Sequence, residues 1–190
     1  MPSPTTNLAA LGDLFQAPFI ARQENTPTQR SINLRHLETL IVQDNNLENT
    51  NFIVTQRLER IKLQQNDILI GIRAQPIRAS LIPPELAGCF PGQNLGILRP
   101  KANINPIYLC TILRSSLGQQ RTSTLFSQST VKLINLRDLG SIEIPTPTLA
   151  IQQQIADIAL AFEHELKTRQ TELEQRQKVV EQFILKLTDP

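Results

Sequence analysis

From Leu149 onward, apolar residues recur at three- and four-residue intervals, and the chain has no glycine or proline until Pro190. Ile151, Ile155, Ile158 and Phe162 mark the first part. Leu166, Leu173, Val180 and Leu187 follow seven apart, with Ile184 beside the last two. This spacing predicts one long helix with an apolar stripe. Pro147 fits just before its start, and Thr148 fits as its N-cap. At ~1.5 Å per residue the helix spans roughly 55–60 Å, more than a small domain can cover. The phase slips between the two parts, and Gln170 and Gln177 interrupt the second. Two readings compete, a helix lying along its own domain and a coiled-coil seam with a partner helix. Length and the sevenfold spacing favour the seam, while its parallel or antiparallel sense stays open.

Before that helix the pattern is shorter-ranged. Residues 1–7 are polar and proline-rich and are expected to be disordered. Leu8, Leu11, Leu14 and Phe15 suggest a short helix or a helix-to-strand entry. A polar loop is expected from Ala21 to Ser31, and a strand over Ile32-Asn33-Leu34-Arg35. Leu37 to Val42 is an apolar burst, and Asp44-Asn45-Asn46 turns the chain. Phe52-Ile53-Val54 and Ile61-Lys62-Leu63 bracket a charged connection. Ile68 to Ile72 reads as a buried strand, with Ile77 to Pro84 as its partner. Ala87 to Phe90 and Leu95 to Pro100 are two more strand-like runs. The period then changes. Asn105 to Ser115 reads as a helix with an early proline. Arg121 to Ser129 is a Ser/Thr-rich loop, and Leu133, Leu136 and Leu139 form a helical turn before an Ile142–Ile144 strand. The fold class is α+β, a small globular domain followed by a long C-terminal helix, divided at 1–148 and 149–190.

Composition narrows this picture. The 190 residues are 40% hydrophobic but only 4% aromatic, so the core is mostly Leu and Ile. No apolar run reaches the ~18 residues a membrane span needs, and the N-terminus lacks a basic-then-apolar leader. Cys89 and Cys110 have no Cys or His at metal spacing, which fits reduced thiols and a cytoplasmic location. The net charge of +2 is uneven. Residues 1–150 carry fourteen Lys and Arg against ten Asp and Glu, and eleven of the fourteen are Arg. Residues 151–190 carry five against seven. Arginine suits phosphate and guanine edges, so the bias is compatible with nucleic acid.

The run Leu136-x-x-Leu139-x-x-Ile142-x-Ile144-Pro145-x-Pro147, followed by Gln152-Gln153-Gln154-Ile155, resembles the DNA-specificity subunits of type I restriction–modification enzymes. There it marks the passage from a target-recognition domain into a long helix. Leu63 with Asn66-Asp67-Ile68-Leu69-Ile70 is similar to that family's L-x-x-G-D-I-L-I strand, with Asn66 where glycine is usual. Leu11-Gly12-Asp13-Leu14, Leu98-Arg99-Pro100, Asn105-Pro106-Ile107-Tyr108-Leu109 and Leu113-Arg114-Ser115 match in order. After the strand, Gly71-Ile72-Arg73-Ala74 departs from the family's Ser-Arg-x-Gly. A full specificity subunit resembles two such units in tandem, whereas this chain carries one.

The resemblance implies a non-catalytic half-subunit that binds double-stranded DNA and holds no cofactor. It also implies a methyltransferase (modification) subunit as partner and, where a system has one, a restriction subunit. Homodimerisation through Ile155, Ile158, Phe162, Leu166, Leu173, Val180, Ile184 and Leu187 would restore two recognition domains. Candidate DNA contacts are Arg22, Gln29 and Arg30 in the first loop, and Arg73, Gln75 and Arg78 after the buried strand. Arg121 and Thr122 by the Ser/Thr-rich loop join them, with Lys132. Asn105-Pro106-Ile107-Tyr108 is close to the Asn-Pro-Pro-Tyr of adenine methyltransferases. It lacks the second proline, however, and no glycine-rich loop offers a seat for a methyl donor. His36 and His164 are far apart in sequence, and neither makes a convincing base. The rival reading is a protein-interaction module, or a degenerate specificity fragment, that uses the long helix without reading DNA.

Overall fold

The computed structural model describes residues 3–45, 47–73, 75–127 and 133–188. The chain starts with strand β1 (Thr5–Asn7), helix α1 (Leu8–Leu11) and strand β2 (Gly12–Gln16). Strands β3 (Thr28–Ile32) and β4 (Glu48–Asn51) come next, then the short helix α2 (Gln56–Arg60). Strands β5 (Ile68–Gly71), β6 (Ala79–Leu81), β7 (Phe90–Pro91) and β8 (Leu95–Pro100) complete the middle of the chain. Helices α3 (Pro106–Arg114), α4 (Ser116–Ser127) and α5 (Leu136–Ser141) precede strand β9 (Glu143–Pro145). Helix α6 (Leu149–Thr188) ends the described chain.

An antiparallel sheet in the order β2-β8-β5-β6 forms the centre. Strand β5 is buried on both faces, as its unbroken apolar run requires. Ile68 and Ile70 face one cluster with Leu98, Tyr108, Leu109, Leu113 and Leu139. Leu69 faces a second with Ile32, Leu37, Leu63, Leu95 and Ile97. A smaller sheet, β4-β3-β7, stands on a third cluster of Phe52, Leu58 and Phe90. The two rings meet edge to face with centroids 5.2 Å apart.

Several expectations hold, among them the α1–β2 entry, the β5–β6 pair, β8, α3 and the long α6. Others are corrected. Of the run expected to be strand-like over 87–90 only Phe90 belongs to β7, because Ala87 and Gly88 form a turn with Gly88 at φ of 90°. Residues 5–7 are ordered, because β1 pairs with β9 and the Leu8 amide donates to the Ile142 carbonyl at 2.9 Å. The expected loop at 21–31 contains most of β3, and of the strand expected over 32–35 only Ile32 belongs to a strand. Leu34–His36 is a 3-10 turn, with the Asn33 side chain accepting from its backbone. The charged connection folds as α2 because the Thr55 side chain accepts from the Leu58 amide at 3.3 Å. The Ser/Thr-rich stretch is α4 through Ser127 rather than a loop. Its hydroxyls bond back along the helix, Thr122 to Gly118 O at 2.8 Å and Thr124 to Arg121 O at 2.9 Å. Leu133 lies before α5, which starts at Leu136.

Helix α6 is fastened to the domain only over its first turns. The buried Gln152 accepts from the Asn105 amide at 2.9 Å and donates to the Pro147 carbonyl at 2.9 Å. Glu163 accepts from the Leu40 amide at 2.8 Å. Lys167 donates to the Gln43 side chain at 3.2 Å. Every described residue from Thr168 to Thr188 is exposed, so about 31 Å of helix stands clear of the domain. No helix among the described residues is long and apolar enough to cross a membrane.

Candidate nucleic-acid interface

The sequence candidates fall into separate groups. Arg22 is exposed before β3, with its guanidinium 3.6 Å from Glu48. Gln29 is half-buried on β3, and exposed Arg30 beside it pairs with Asp44. Arg35, which sequence reasoning passed over, also reaches Glu48, at 2.9 Å. Glu48 on β4 thus sits between two arginines that lie far apart along the chain. The register sets Arg30 opposite Asn49 and Thr28 opposite Asn51.

Arg73 and Gln75 are exposed beyond β5. Arg78 lies 3.8 Å from Glu38. It lines a shallow cleft with Arg114 and Gln119. Arg114 itself is committed to structure, donating to the carbonyls of Glu38, Thr39 and Ala79. Arg121 is half-buried on α4, and its Nη1 is buried without a hydrogen-bond partner among the described residues. Thr122 is a correction, since at 1% exposure inside α4 it has no surface to offer a nucleic acid. Lys132 lies outside the described residues. Arg22 and Arg30 therefore share the β3–β4 region, whereas Arg73 follows the central sheet and Arg121 rides on α4.

The Asn105-Pro106-Ile107-Tyr108 tetrapeptide is occupied structurally. The Asn105 side chain caps α3, accepting from Ile107 N at 2.9 Å and Tyr108 N at 3.1 Å. Tyr108 is 1% exposed, and its hydroxyl donates to the Pro145 carbonyl at 2.7 Å. Burial also raises the Tyr108 pKa. Among the described residues, no group of three or more His, Cys, Asp and Glu could hold a metal.

The seam residues divide in two. Ile155 packs partly against its own core. Ile158, Phe162, Leu166, Leu173, Val180, Ile184 and Leu187 are between 47% and 72% exposed. Val179, Phe183 and Leu185, which the heptad reading missed, are equally open. A groove of about 480 Å³ between Leu40, α3 and α6 is lined by Ile155, Ile158, Phe162 and Leu166.

The family model for the type I restriction modification DNA specificity domain matches residues 8–175. The specificity subunit of the type I restriction enzyme StySPI from Salmonella potsdam is 25% identical over 154 residues, covering 75% of this chain and 33% of that protein. A structure of a type I R-M system, solved for its complex assembly and conformational transition, superposes with a TM-score of 0.67 at 20% identity. It covers 96% of this chain and 44% of that one. The HsdS subunit from Thermoanaerobacter tengcongensis gives 0.60 at 20% identity over 96% and 43%. The S subunit from M. genitalium gives 0.60 at 14% over 94% and 43%. The chain thus spans between a third and a half of the length of these relatives. With a match running from α1 well into α6, the chain belongs to the type I restriction–modification DNA specificity family.

Proposed function

We propose that the chain is a half-length specificity subunit. Residues 1–148 form its target-recognition domain, and residues 149–190 form the helix through which two copies pair. The dimer binds a bipartite site on double-stranded DNA and places a methyltransferase subunit there, together with a restriction subunit where the system has one. The chain performs no chemistry in this reading. The observation that carries it is α6. In a member of this family that spans between a third and a half of its relatives' length, a helix leaves its domain beyond Lys167 with an uncovered apolar stripe. Burying such a stripe against a second copy is what a coiled-coil seam does.

The exposed arginines support DNA contact, since guanidinium groups serve both phosphates and guanine edges. One observation favours the rival interaction module. Arg22, Arg30, Arg35 and Arg78 are each ion-paired with a carboxylate, which lowers the positive field of the domain. Selection of random duplexes by the purified chain separates the two. Enrichment of a defined motif, with affinity that falls steeply with salt, is the expected result. Binding without enrichment would favour the interaction module.

A further inference from the structure

Eight residues of the β3–β4 ribbon, Thr28 to Ser31 and Glu48 to Asn51, include no apolar side chain. A strand in a small domain ordinarily gives alternate positions to the core. Here the alternation sorts polar from polar. Gln29, Ser31, Glu48 and Thr50 are buried or half-buried, and the Ser31 and Thr50 hydroxyls are 3.2 Å apart. Thr28, Arg30, Asn49 and Asn51 are exposed together on the other face. Strand β4 is the edge of its sheet among the described residues, with only the Gln23 amide donating to its Asn51 carbonyl, at 2.9 Å, beside the β3 ladder. Strand β3 pairs on its other side with β7, whose Phe90 ring meets Phe52, the residue that follows β4.

We infer that this outer face of the ribbon reads base edges in the major groove of double-stranded DNA; the inference rests on the DNA-reading function proposed above. A major groove ~12 Å wide admits a two-stranded ribbon. The side-chain chemistry fits the edges found there. Asparagine makes two hydrogen bonds to adenine, arginine makes two to guanine, and the threonine methyl packs on thymine. The spacing fits as well. Same-face residues two apart on a strand are separated by ~6.8 Å, about two base-pair steps of ~3.4 Å. The Arg30–Asn49 and Thr28–Asn51 pairs would therefore address base pairs two steps apart.

The flanking charges have matching places. Arg22 and Arg35, held on Glu48 beside the ribbon, suit the phosphates that border a groove. Arg30 is held by Asp44 in the free chain, and both partners are exposed. An exposed ion pair is weak and screened by salt, so a guanine edge can displace the carboxylate.

The test is duplex selection with the full chain beside Asn49→Ala and Arg30→Ala. Both residues are exposed, and thermal melts of each variant serve as the check on folding. The wild type should enrich a motif. Each variant should lose about tenfold preference at one or two base pairs of that motif and keep the rest. Affinity for unselected duplex should change less than about threefold for Asn49→Ala, a loss that a merely structural role would not confine to particular bases. If the wild type enriches a motif that both variants leave intact, or weaken uniformly, the ribbon is not the reader although the chain reads DNA. If the wild type enriches nothing, the DNA reading falls and takes this inference with it.

Discussion

Asp67 is where a single residue matters most to this fold. Its carboxylate is buried and receives two hydrogen bonds from Arg99, Nε to Oδ1 and Nη2 to Oδ2, each 2.8 Å. It also accepts from the Gln64 amide at 2.8 Å. Arg99 in turn lies over the Phe15 ring, and its hydrogen bond to Asp67 raises its pKa. The pair ties β5 to β8 and β2. Asp67→Ala strands a half-buried guanidinium, so it should cost about 3 kcal/mol of stability in urea denaturation. Just before it, Asn66 has φ of 69°. That is the left-handed region, which asparagine tolerates better than other side-chain-bearing residues, and it accounts for asparagine standing where the family has glycine.

Cys110 makes a pH prediction. Burial pushes its thiol up to about 12, against roughly 8.5 for a free cysteine. The folded chain therefore holds this proton more tightly than the unfolded chain. The stability it contributes is full below about pH 8.5 and is lost as pH rises from there toward 12. Chemical denaturation across pH 8–10 should show a falling midpoint that Cys110→Ala makes shallower, the remainder coming from Cys89 and Tyr108, whose pKa values burial also raises.

At the scale of elements, what sequence revealed and what it hid have separate causes. Helix α6 was legible because a period holds over many turns, and α3 because Asn105 and Pro106 announce its start. Strands β5 and β8 were legible as apolar runs. The β3–β4 ribbon was not, because its inner positions are Gln, Ser, Glu and Thr, so no hydrophobic alternation exists to find. Its pairing is set from below, by β7 and the Phe52–Phe90 cluster, contacts distant in sequence. Helix α4 was hidden by its hydroxyls, which bond within the helix. The candidate site was legible only in part. Arg22 and Arg30 lie beside and on the proposed reading ribbon, Thr122 was lost to α4, and Asn49 and Asn51 carried no signal outside their strand. For α6 itself, residues 168–188 lack cover in one copy. Their amides should exchange quickly in dilute solution and gain protection as protein concentration rises.

At the scale of the whole molecule, the proposed dimer can be tested for register as well as existence. Arg169 and Arg176 fall between Leu166, Leu173 and Val180 along the stripe. A parallel pair would set Gln170 and Gln177 against their own copies in the seam, leaving Arg169 and Arg176 at its flanks. An antiparallel pair centred on Leu173 sets Arg169 level with the partner's Gln177 and Arg176 level with the partner's Gln170. It also sets Leu166 against the partner's Val180, Phe162 against the partner's Ile184, and Ala159 against the partner's Leu187. The distal end of one helix then lies over the groove beside α3 of the other. Antiparallel pairing would set one recognition domain at each end, and crosslinking between copies carrying Phe162→Cys and Ile184→Cys would report it.

The most direct measurement is the solution mass of the purified chain by light scattering, with Leu173→Glu beside it. The wild type should give about 43 kDa, twice the 21.4 kDa of one chain. The variant should give one copy, because a charge at the centre of the seam would be buried without a partner. Leu173 is 55% exposed in the single chain, so the substitution leaves the domain folded. A wild-type mass of one copy at every concentration tested would contradict the paired half-subunit.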